Sequence, residues 1–110
     1  MLLPYAEHAE VAVRKLVEYC LNPDHPEGKH KARRFAAALG MTARDAEALR
    51  LLILDAVVVN EAQVGRLDEY GQRYTVDFEA EWRGRRAMVR SAWILETGSV
   101  TPRLTTCYVL

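Results

Sequence analysis

The hydrophobic and polar positions follow a helical period in the first half of the chain. Apolar residues recur there every three or four positions, as on the buried face of an amphipathic helix. This pattern predicts three helices: at about Glu7 to Leu21, at about Lys29 to Leu39, and after a cap at Thr42. Asp45, three residues after Thr42, completes a weak capping box, and Gly40 is a natural residue just past the end of the second helix.

Each predicted helix has an apolar face that is expected to meet a common core. The faces consist of Ala9, Val13, Leu16, Val17 and Cys20 in the first helix, Ala32, Phe35, Ala36 and Leu39 in the second, and Ala46, Leu49, Leu52, Ile53 and Ala56 in the third. The β-branched run from Val57 to Val59 marks the change of period. It fits either a last helical turn or a first strand.

From Asn60 onward the hydrophobic period is two, which predicts β-strands. The pattern indicates four strands, at about Ala62 to Leu67, Arg73 to Trp82, Arg85 to Leu95 and Arg103 to Val109. A turn at Tyr70-Gly71 separates the first two strands, and a two-residue turn at Arg83-Gly84 separates the second from the third. The loop from Glu96 to Ser99, followed by Pro102, leads to the last strand.

Folding the chain about the Arg83-Gly84 turn predicts a register for the second and third strands. The predicted cross-strand pairs are Phe78 with Val89 and Tyr74 with Trp93 on one face, and Glu81 with Arg86 and Asp77 with Arg90 on the other. One sheet face is therefore apolar and the other is polar. We predict an α+β fold over residues 1–110 as a single domain, with three N-terminal helices packed on one face of an antiparallel β-meander of about four strands.

Composition narrows the class of protein. The net charge is zero, so nothing favours wholesale electrostatic binding of nucleic acid. No signal peptide and no run of membrane-spanning length is recognisable, which predicts a cytoplasmic protein without a membrane partner.

Cys20 and Cys107 are expected to be reduced and partly buried, whereas a disulfide would need an oxidising compartment. The cysteines and histidines have no zinc-like spacing, so no metal or cofactor is expected.

The stretch from Asn22 to Phe35 is the first candidate site, because imidazole, ammonium and guanidinium groups crowd together only there. A helix N-terminus offers free N–H groups and a positive dipole end, and Gly28 before it permits the close approach of an anion. The candidate anion-binding residues are Gly28, Lys29, His30 and Arg33, with His25 and Lys31 beside them. The alternative is a solvated helix face with a histidine in the preceding turn.

A second candidate lies on the last strand. Thr106 and Tyr108 are two residues apart, so both hydroxyl groups project from one face and can donate to phosphate oxygens. The alternative is that Thr and Tyr are there as favoured strand residues. Arg90 lies on the polar face of the sheet, where an ion pair with Asp77 explains both side chains without a ligand.

The chain resembles a bacterial family of small domains of unknown function over nearly its whole length. The matching residues are Lys15-Leu16-x-x-Tyr19-x-Leu21, His25, Gly28-x-x-Lys31-Ala32-x-x-Phe35, Leu39-Gly40, Tyr70-Gly71 with Tyr74, Trp93, and Pro102-Arg103-Leu104-x-Thr106-x-Tyr108. Each of these pieces is short. The resemblance implies a family and no activity.

A looser similarity is to the barnase–EndoU–colicin–RelE-like group of ribonuclease toxins, which have a helical start followed by an antiparallel sheet. It implies RNA as the partner and a metal-independent cleavage. His25 would be the general acid or base, Lys31 and Arg90 would stabilise the charged phosphate, and Thr106 and Tyr108 would orient it. The zero net charge and the acidic middle of the chain depart from what an RNA-binding protein needs.

The competing hypothesis is a non-catalytic module that binds a cognate protein through its polar sheet face or an edge strand. The charge asymmetry supports a variant of it: the segment from Ala43 to Glu81 is acidic and the segment from Trp82 to Leu110 is basic. Association of the acidic part with the basic part would give a homodimer, although the sequence leaves the oligomeric state open.

Overall fold

A computed structural model of the chain describes residues 1–110. The first helix, α1, is an α-helical turn at Val13–Lys15 that continues as a π-helical segment at Leu16–Cys20; α2 is Lys29–Leu39 and α3 is Ala46–Val57. The strands β1 (Ala62–Asp68), β2 (Gly71–Trp82), β3 (Arg85–Glu96) and β4 (Arg103–Val109) follow and form one antiparallel sheet in the order β1-β2-β3-β4. The predicted α+β class and the four-stranded antiparallel sheet are confirmed.

The end of α2 and the cap before α3 are those that the sequence predicts. Gly40 adopts a left-handed conformation (φ 70°), and its N–H donates to the carbonyl of Ala36, which closes the last turn of α2. Thr42 and Asp45 form the expected capping box, at a short 3₁₀ turn that leads into α3. The run from Val57 to Val59 is now assigned, since Val57 ends α3 and the next two residues form a turn.

The register predicted for β2 and β3 is confirmed at all four pairs, from Tyr74 opposite Trp93 to Glu81 opposite Arg86. Arg83 and Gly84 form the turn between these strands, and both have positive φ angles, 48° and 84°. Positive φ at both central residues is the geometry of a type I′ hairpin turn, whose twist matches that of the flanking strands.

The prediction of a helix from about Glu7 is wrong for its first part. A 3₁₀ turn at Ala6–His8 is followed by extended chain, and α1 begins only at Val13. The extended segment pairs with the start of β4: the Glu10 N–H donates to the Pro102 carbonyl at 2.9 Å, and the Leu104 N–H donates to the Glu10 carbonyl at 3.0 Å. These bonds satisfy backbone groups at the edge of the sheet, and this tertiary gain outweighs local helix propensity.

The apolar face predicted for the first helix is also partly wrong, because the helix widens. The N–H of Leu21 donates to the carbonyl of Leu16, a π-type bond across five residues. The wider turn buries Leu16, Cys20 and Leu21, while the side chains of Val13 and Val17 remain 38% and 41% exposed.

One apolar cluster joins the helices to the sheet. In it α2 packs against β3 and β4, and α3 packs against β2. Ser91 is the one polar residue that is fully buried; its hydroxyl donates to the Val76 carbonyl at 2.8 Å and accepts the indole N–H of Trp93 at 2.9 Å. None of the helices is both long enough and apolar enough to cross a membrane.

We expect Ser91→Ala to destabilise the fold by about 1–3 kcal/mol, because the buried indole N–H of Trp93 then loses its acceptor. Thr97→Ala, in an exposed loop, is the matched control and is expected to have little effect. Urea denaturation followed by tryptophan fluorescence measures both variants. Equal unfolding midpoints for Ser91→Ala and the parent chain would show that the hydrogen bonds of Ser91 do not stabilise the fold.

Candidate functional site

A polar cleft lies between the end of α1, the turn before α2 and the start of β4. Its volume is about 590 Å³, and only one of its eight lining residues is hydrophobic. The lining residues are Arg14, Lys15, Glu18, Tyr19, His25, Glu27, Thr105 and Thr106. Two of the residues singled out from the sequence, His25 and Thr106, therefore face the same cleft from different elements.

His25 is held in one tautomer by the backbone. Its Nδ1 accepts the N–H of Glu27 at 3.0 Å and the N–H of Gly28 at 2.9 Å. An imidazole nitrogen that accepts two hydrogen bonds carries no proton, so the proton of the neutral ring is on Nε2. The histidine side chain thus holds the turn that precedes α2 and retains Nε2–H as a hydrogen-bond donor.

Gly28 is needed for packing against α1. A Cβ atom at this position would lie 2.3 Å from the carbonyl oxygen of Tyr19. The sequence predicted that Gly28 allows the close approach of an anion, and the group that approaches is this carbonyl. His25 also accepts the N–H groups of Glu27 and Gly28, in the turn before α2, through Nδ1, and its backbone carbonyl accepts the N–H of Lys29, the first amide of α2.

Tyr19 connects the two parts of the site. The Lys31 ammonium donates to the Tyr19 hydroxyl at 2.7 Å. The ring of Tyr19 meets the imidazole of His25 edge-on, with 4.8 Å between centroids and an interplanar angle of 88°. Because the ammonium occupies a lone pair of the phenol oxygen, the phenolic proton is free to be donated elsewhere.

Behind Tyr19, Lys31 faces the last strand. Its ammonium lies 5.8 Å from the ring centroid of Tyr108, within the range of a cation–π contact. Tyr108 is opposite Arg90 across the sheet, and Arg90 holds Asp77 through two hydrogen bonds of 2.8 Å. These bonds from Arg90 lower the pKa of Asp77, and the bonds to Asp77 and then to Tyr108 raise the pKa of Arg90.

β4 has a bulge beside the cleft. The pairing of β3 with β4 shifts between Ala92 and Trp93, and Thr105 is the extra residue on β4. The carbonyl of Thr105 accepts a hydrogen bond from the ammonium of Lys15 at 3.2 Å. The next residue, Thr106, has its hydroxyl oxygen 3.9 Å from the sulfur of Cys20.

Cys20 and Cys107 are free, fully buried and neighbours of each other. A hydrogen bond from the Cys107 thiol, helped by the Cys107 N–H, the Thr106 hydroxyl and the charge of Lys31, lowers the pKa of Cys20 to about 6, against the opposing effect of burial. The hydrogen bond to Cys20 and then burial raise the pKa of Cys107 well above its usual value. Cys20 is therefore the member of the pair that loses its proton first as pH rises.

The other predicted anion-binding residues are not brought to the cleft. Lys29, His30 and Arg33 do not line it, and His30 and Arg33 are exposed on α2. Successive positions of a helix point in different directions, so nearness in sequence does not make a shared site. Tyr19 and the cysteine pair, by contrast, had no recognisable role in the sequence, because each acts through a contact between distant elements.

The cleft is rich in donors and has little net charge. Arg14 is paired with Glu18 at 3.1 Å, which leaves Lys15 and Glu27 as the charged lining groups without an ion-pair partner. The Nε2–H of His25 and the hydroxyls of Tyr19 and Thr106 are suited to an anionic oxygen. No group of three His, Cys, Asp or Glu side chains is spaced to hold a metal ion.

Comparison with known families assigns residues 2–110 to the model described as Domain of unknown function (DUF6883). No curated protein and no solved structure matches the chain significantly. The match covers all three helices and all four strands.

We expect His25→Ala to lower the free energy of unfolding by about 1 kcal/mol, because the N–H groups of Glu27 and Gly28 lose their acceptor. His25→Asn should keep most of that stability, since an asparagine oxygen can accept the same two N–H groups. Thermal unfolding of both variants measures the difference. If the two variants are equally stable, the imidazole does not stabilise the turn before α2.

The lowered pKa of Cys20 predicts a pH-dependent stability. The ordinary pKa is 9.0 and the folded value is about 6. The free energy of unfolding should therefore rise as pH increases from 6 to 9, and this contribution of Cys20 is lost as pH falls through 6. The raised pKa of Cys107 acts in the opposite direction, and only above the ordinary value. Urea unfolding between pH 6 and pH 8.5 should therefore show a rise that Cys20→Ala lacks. Parallel curves for parent and variant would contradict the lowered pKa of Cys20.

Proposed function

We propose that this chain, which belongs to the DUF6883 family of domains of unknown function, is a metal-independent ribonuclease that cleaves RNA by attack of the 2′-hydroxyl. The observation that carries the proposal is the convergence of His25, Tyr19 and Thr106 on one polar cleft, with Lys31 directly behind the phenol. These groups come from three different elements, and each has a proton to donate.

In the proposed reaction the donors hold the phosphate and protonate the leaving group. The Nε2–H of His25 and the hydroxyl of Thr106 donate to the nonbridging phosphate oxygens, and this stabilises the charge that develops on them. Tyr19 is the general acid, because the Lys31 ammonium at its oxygen stabilises the phenolate that remains. Tyr108 and Arg90, which follow Lys31 in the same contact chain, position its ammonium.

Glu27 is the proposed general base, because it lines the cleft and its carboxylate has no ion-pair partner. It takes the proton of the 2′-hydroxyl, whose oxygen then forms a bond to phosphorus. The bond from phosphorus to the 5′-oxygen breaks, and that oxygen receives the phenolic proton of Tyr19. The products are a 2′,3′-cyclic phosphate and a 5′-hydroxyl, so no water, metal or cofactor takes part in this step.

The proposal also includes a bacterial, cytoplasmic protein and helices that cover one face of the sheet. The two neighbouring cysteines support the location, since they are free, as is usual where thiols are kept reduced. The alternating burial along β2 and β3 supports the arrangement of layers, because it leaves the side of the sheet that carries Asp77 and Arg90 open.

We expect purified protein to cleave a labelled single-stranded RNA in the presence of a chelator and to leave the DNA of the same sequence intact. Tyr19→Phe, which keeps the ring and removes the acid, should lower the cleavage rate by about 100-fold or more. His25→Asn, which is expected to keep the hydrogen bonds from Glu27 and Gly28, should lower the cleavage rate on the order of 100-fold. The product ends can be identified by mass spectrometry.

His30→Ala is the matched control, because His30 is exposed on α2 and outside the cleft. Its cleavage rate should equal that of the parent chain. Cleavage that persists in both Tyr19→Phe and His25→Asn would point to a contaminating nuclease and overturn the proposal, as would DNA cleavage at the same rate. A non-catalytic interaction role, the competing hypothesis, is supported by a different surface, around the C-terminal half of α2.

A further inference from the structure

The arginines divide into two groups with different surroundings. Of the twelve in the sequence, seven lie within 4.0 Å of a carboxylate, as Arg90 does at Asp77. The remaining five have no carboxylate partner, and all five are exposed. They are Arg33, Arg34, Arg44, Arg83 and Arg85, which we call the arginine surface.

The arginine surface lies on α2 and in the segments around its C-terminal half. Arg33 and Arg44 line one groove, and Arg44 and Arg83 line a second depression. Arg85 donates to the carbonyl of Ala37 at 3.4 Å, near the end of α2. The one carboxylate in these linings, that of Asp45, accepts the Thr42 N–H in the capping box. An unneutralised cationic surface therefore exists on a chain whose net charge is zero.

The groove between Arg33 and Arg44 is apolar. Its volume is about 450 Å³, and its walls are aliphatic, including Leu21, Ala36 and Met41. No aromatic side chain lines it. An apolar groove rimmed by charged residues is typical of a protein-interaction site.

Arg83 also has a strained backbone conformation. It has a positive φ of 48° at the tip of the β2–β3 hairpin, where Asn, Asp or Gly adopts the turn with less strain. Its guanidinium lies 4.9 Å from the ring centroid of Trp82. The contact with Trp82 offsets part of the cost of this conformation, and backbone strain retained at an exposed position is a feature of binding sites.

We propose that the arginine surface binds an acidic segment of a partner protein. An aliphatic side chain of the partner enters the groove, and carboxylates on either side of it pair with Arg33 and Arg44. The planar guanidinium matches a carboxylate through two parallel hydrogen bonds. Single-stranded RNA fits less well, because its bases are held by stacking on aromatic rings. The groove lacks such rings, and Arg83 lies over Trp82.

This inference does not rest on the ribonuclease proposal. The arginine surface and the groove share no residue with the polar cleft. Loss of cleavage and loss of partner binding can therefore be produced by different substitutions in the same chain.

The test uses fluorescence anisotropy with a labelled amphipathic peptide of Glu, Leu and Ala, with Leu and Glu at helical spacing. We expect this peptide to bind at least about tenfold more tightly than three comparison probes. The reason is that a few charged and apolar side chains supply most of the binding energy in such interfaces. The comparison probes are the same peptide with Lys for Glu, the same peptide with Ser for Leu, and an oligouridine of equal length.

The Arg33→Ala, Arg44→Ala double variant should weaken binding of the acidic peptide by at least about tenfold. Arg66→Ala is the matched control, since Arg66 is exposed on β1 and already paired with Asp68, and it should bind as the parent chain does. Unchanged binding in the double variant would overturn the proposal. Equal binding of the serine peptide would overturn the role of the groove, and tighter binding of oligouridine would assign the surface to RNA.

Arg83→Asn separates binding from folding. Asparagine suits the turn better, so the melting temperature should rise while binding of the acidic peptide weakens. A residue with only a structural role would not move these two measurements in opposite directions. A raised melting temperature with unchanged binding would exclude Arg83 from the surface and overturn the argument from strain.

Discussion

The approach of Gly28 to the carbonyl oxygen of Tyr19 is the contact on which the site depends. A Cβ atom at Gly28 would lie 2.3 Å from that oxygen, so the end of α1 and the start of α2 meet at a distance that no side chain allows. The same closeness brings the Tyr19 hydroxyl to Lys31, which is in the first turn of α2, and the ring to His25. A larger residue at this position would push the two helices apart. It would also separate the proton donors from the Lys31 ammonium.

The sheet could be predicted from the sequence because its determinants are local. Alternation fixes which side chains share a face, and the Arg83-Gly84 turn fixes the register, since a slip of one residue would put the apolar set on the other face. Cross-strand pairs such as Asp77 with Arg90 then agree with both. α2 could be predicted for a similar reason, because Gly40 determines where it ends through contacts within a few residues.

The first helix and half of the site could not be predicted, and the cause is the same for both. Glu10 is extended because it pairs with Pro102 and Leu104 at the edge of β4, which no local pattern reveals. The π-helical segment then changes the spacing of buried positions from that of a regular helix. Tyr19 and Cys20 lie in that segment. The helical period correctly placed Cys20 on the buried face, but it gave no indication of where Tyr19 points. His25 could be found as a cluster member, whereas its use of Nδ1 as the acceptor for two amides in the turn before α2 depends on three-dimensional geometry.

The balance of charge illustrates why net charge is a weak guide to partners. Six carboxylates neutralise seven arginines, since Asp68 pairs with both Arg66 and Arg73, and the other five lie on α2 and in the segments around its C-terminal half. The two ends of this one helix are therefore electrostatically distinct. Its start follows a turn that the His25 imidazole stabilises, and it borders a cleft of proton donors. Its end lies beside an apolar groove with guanidinium groups on its rim. The two proposed ligands, an RNA phosphate and an acidic protein segment, would therefore bind at separate ends of α2, and neither would have to displace the other.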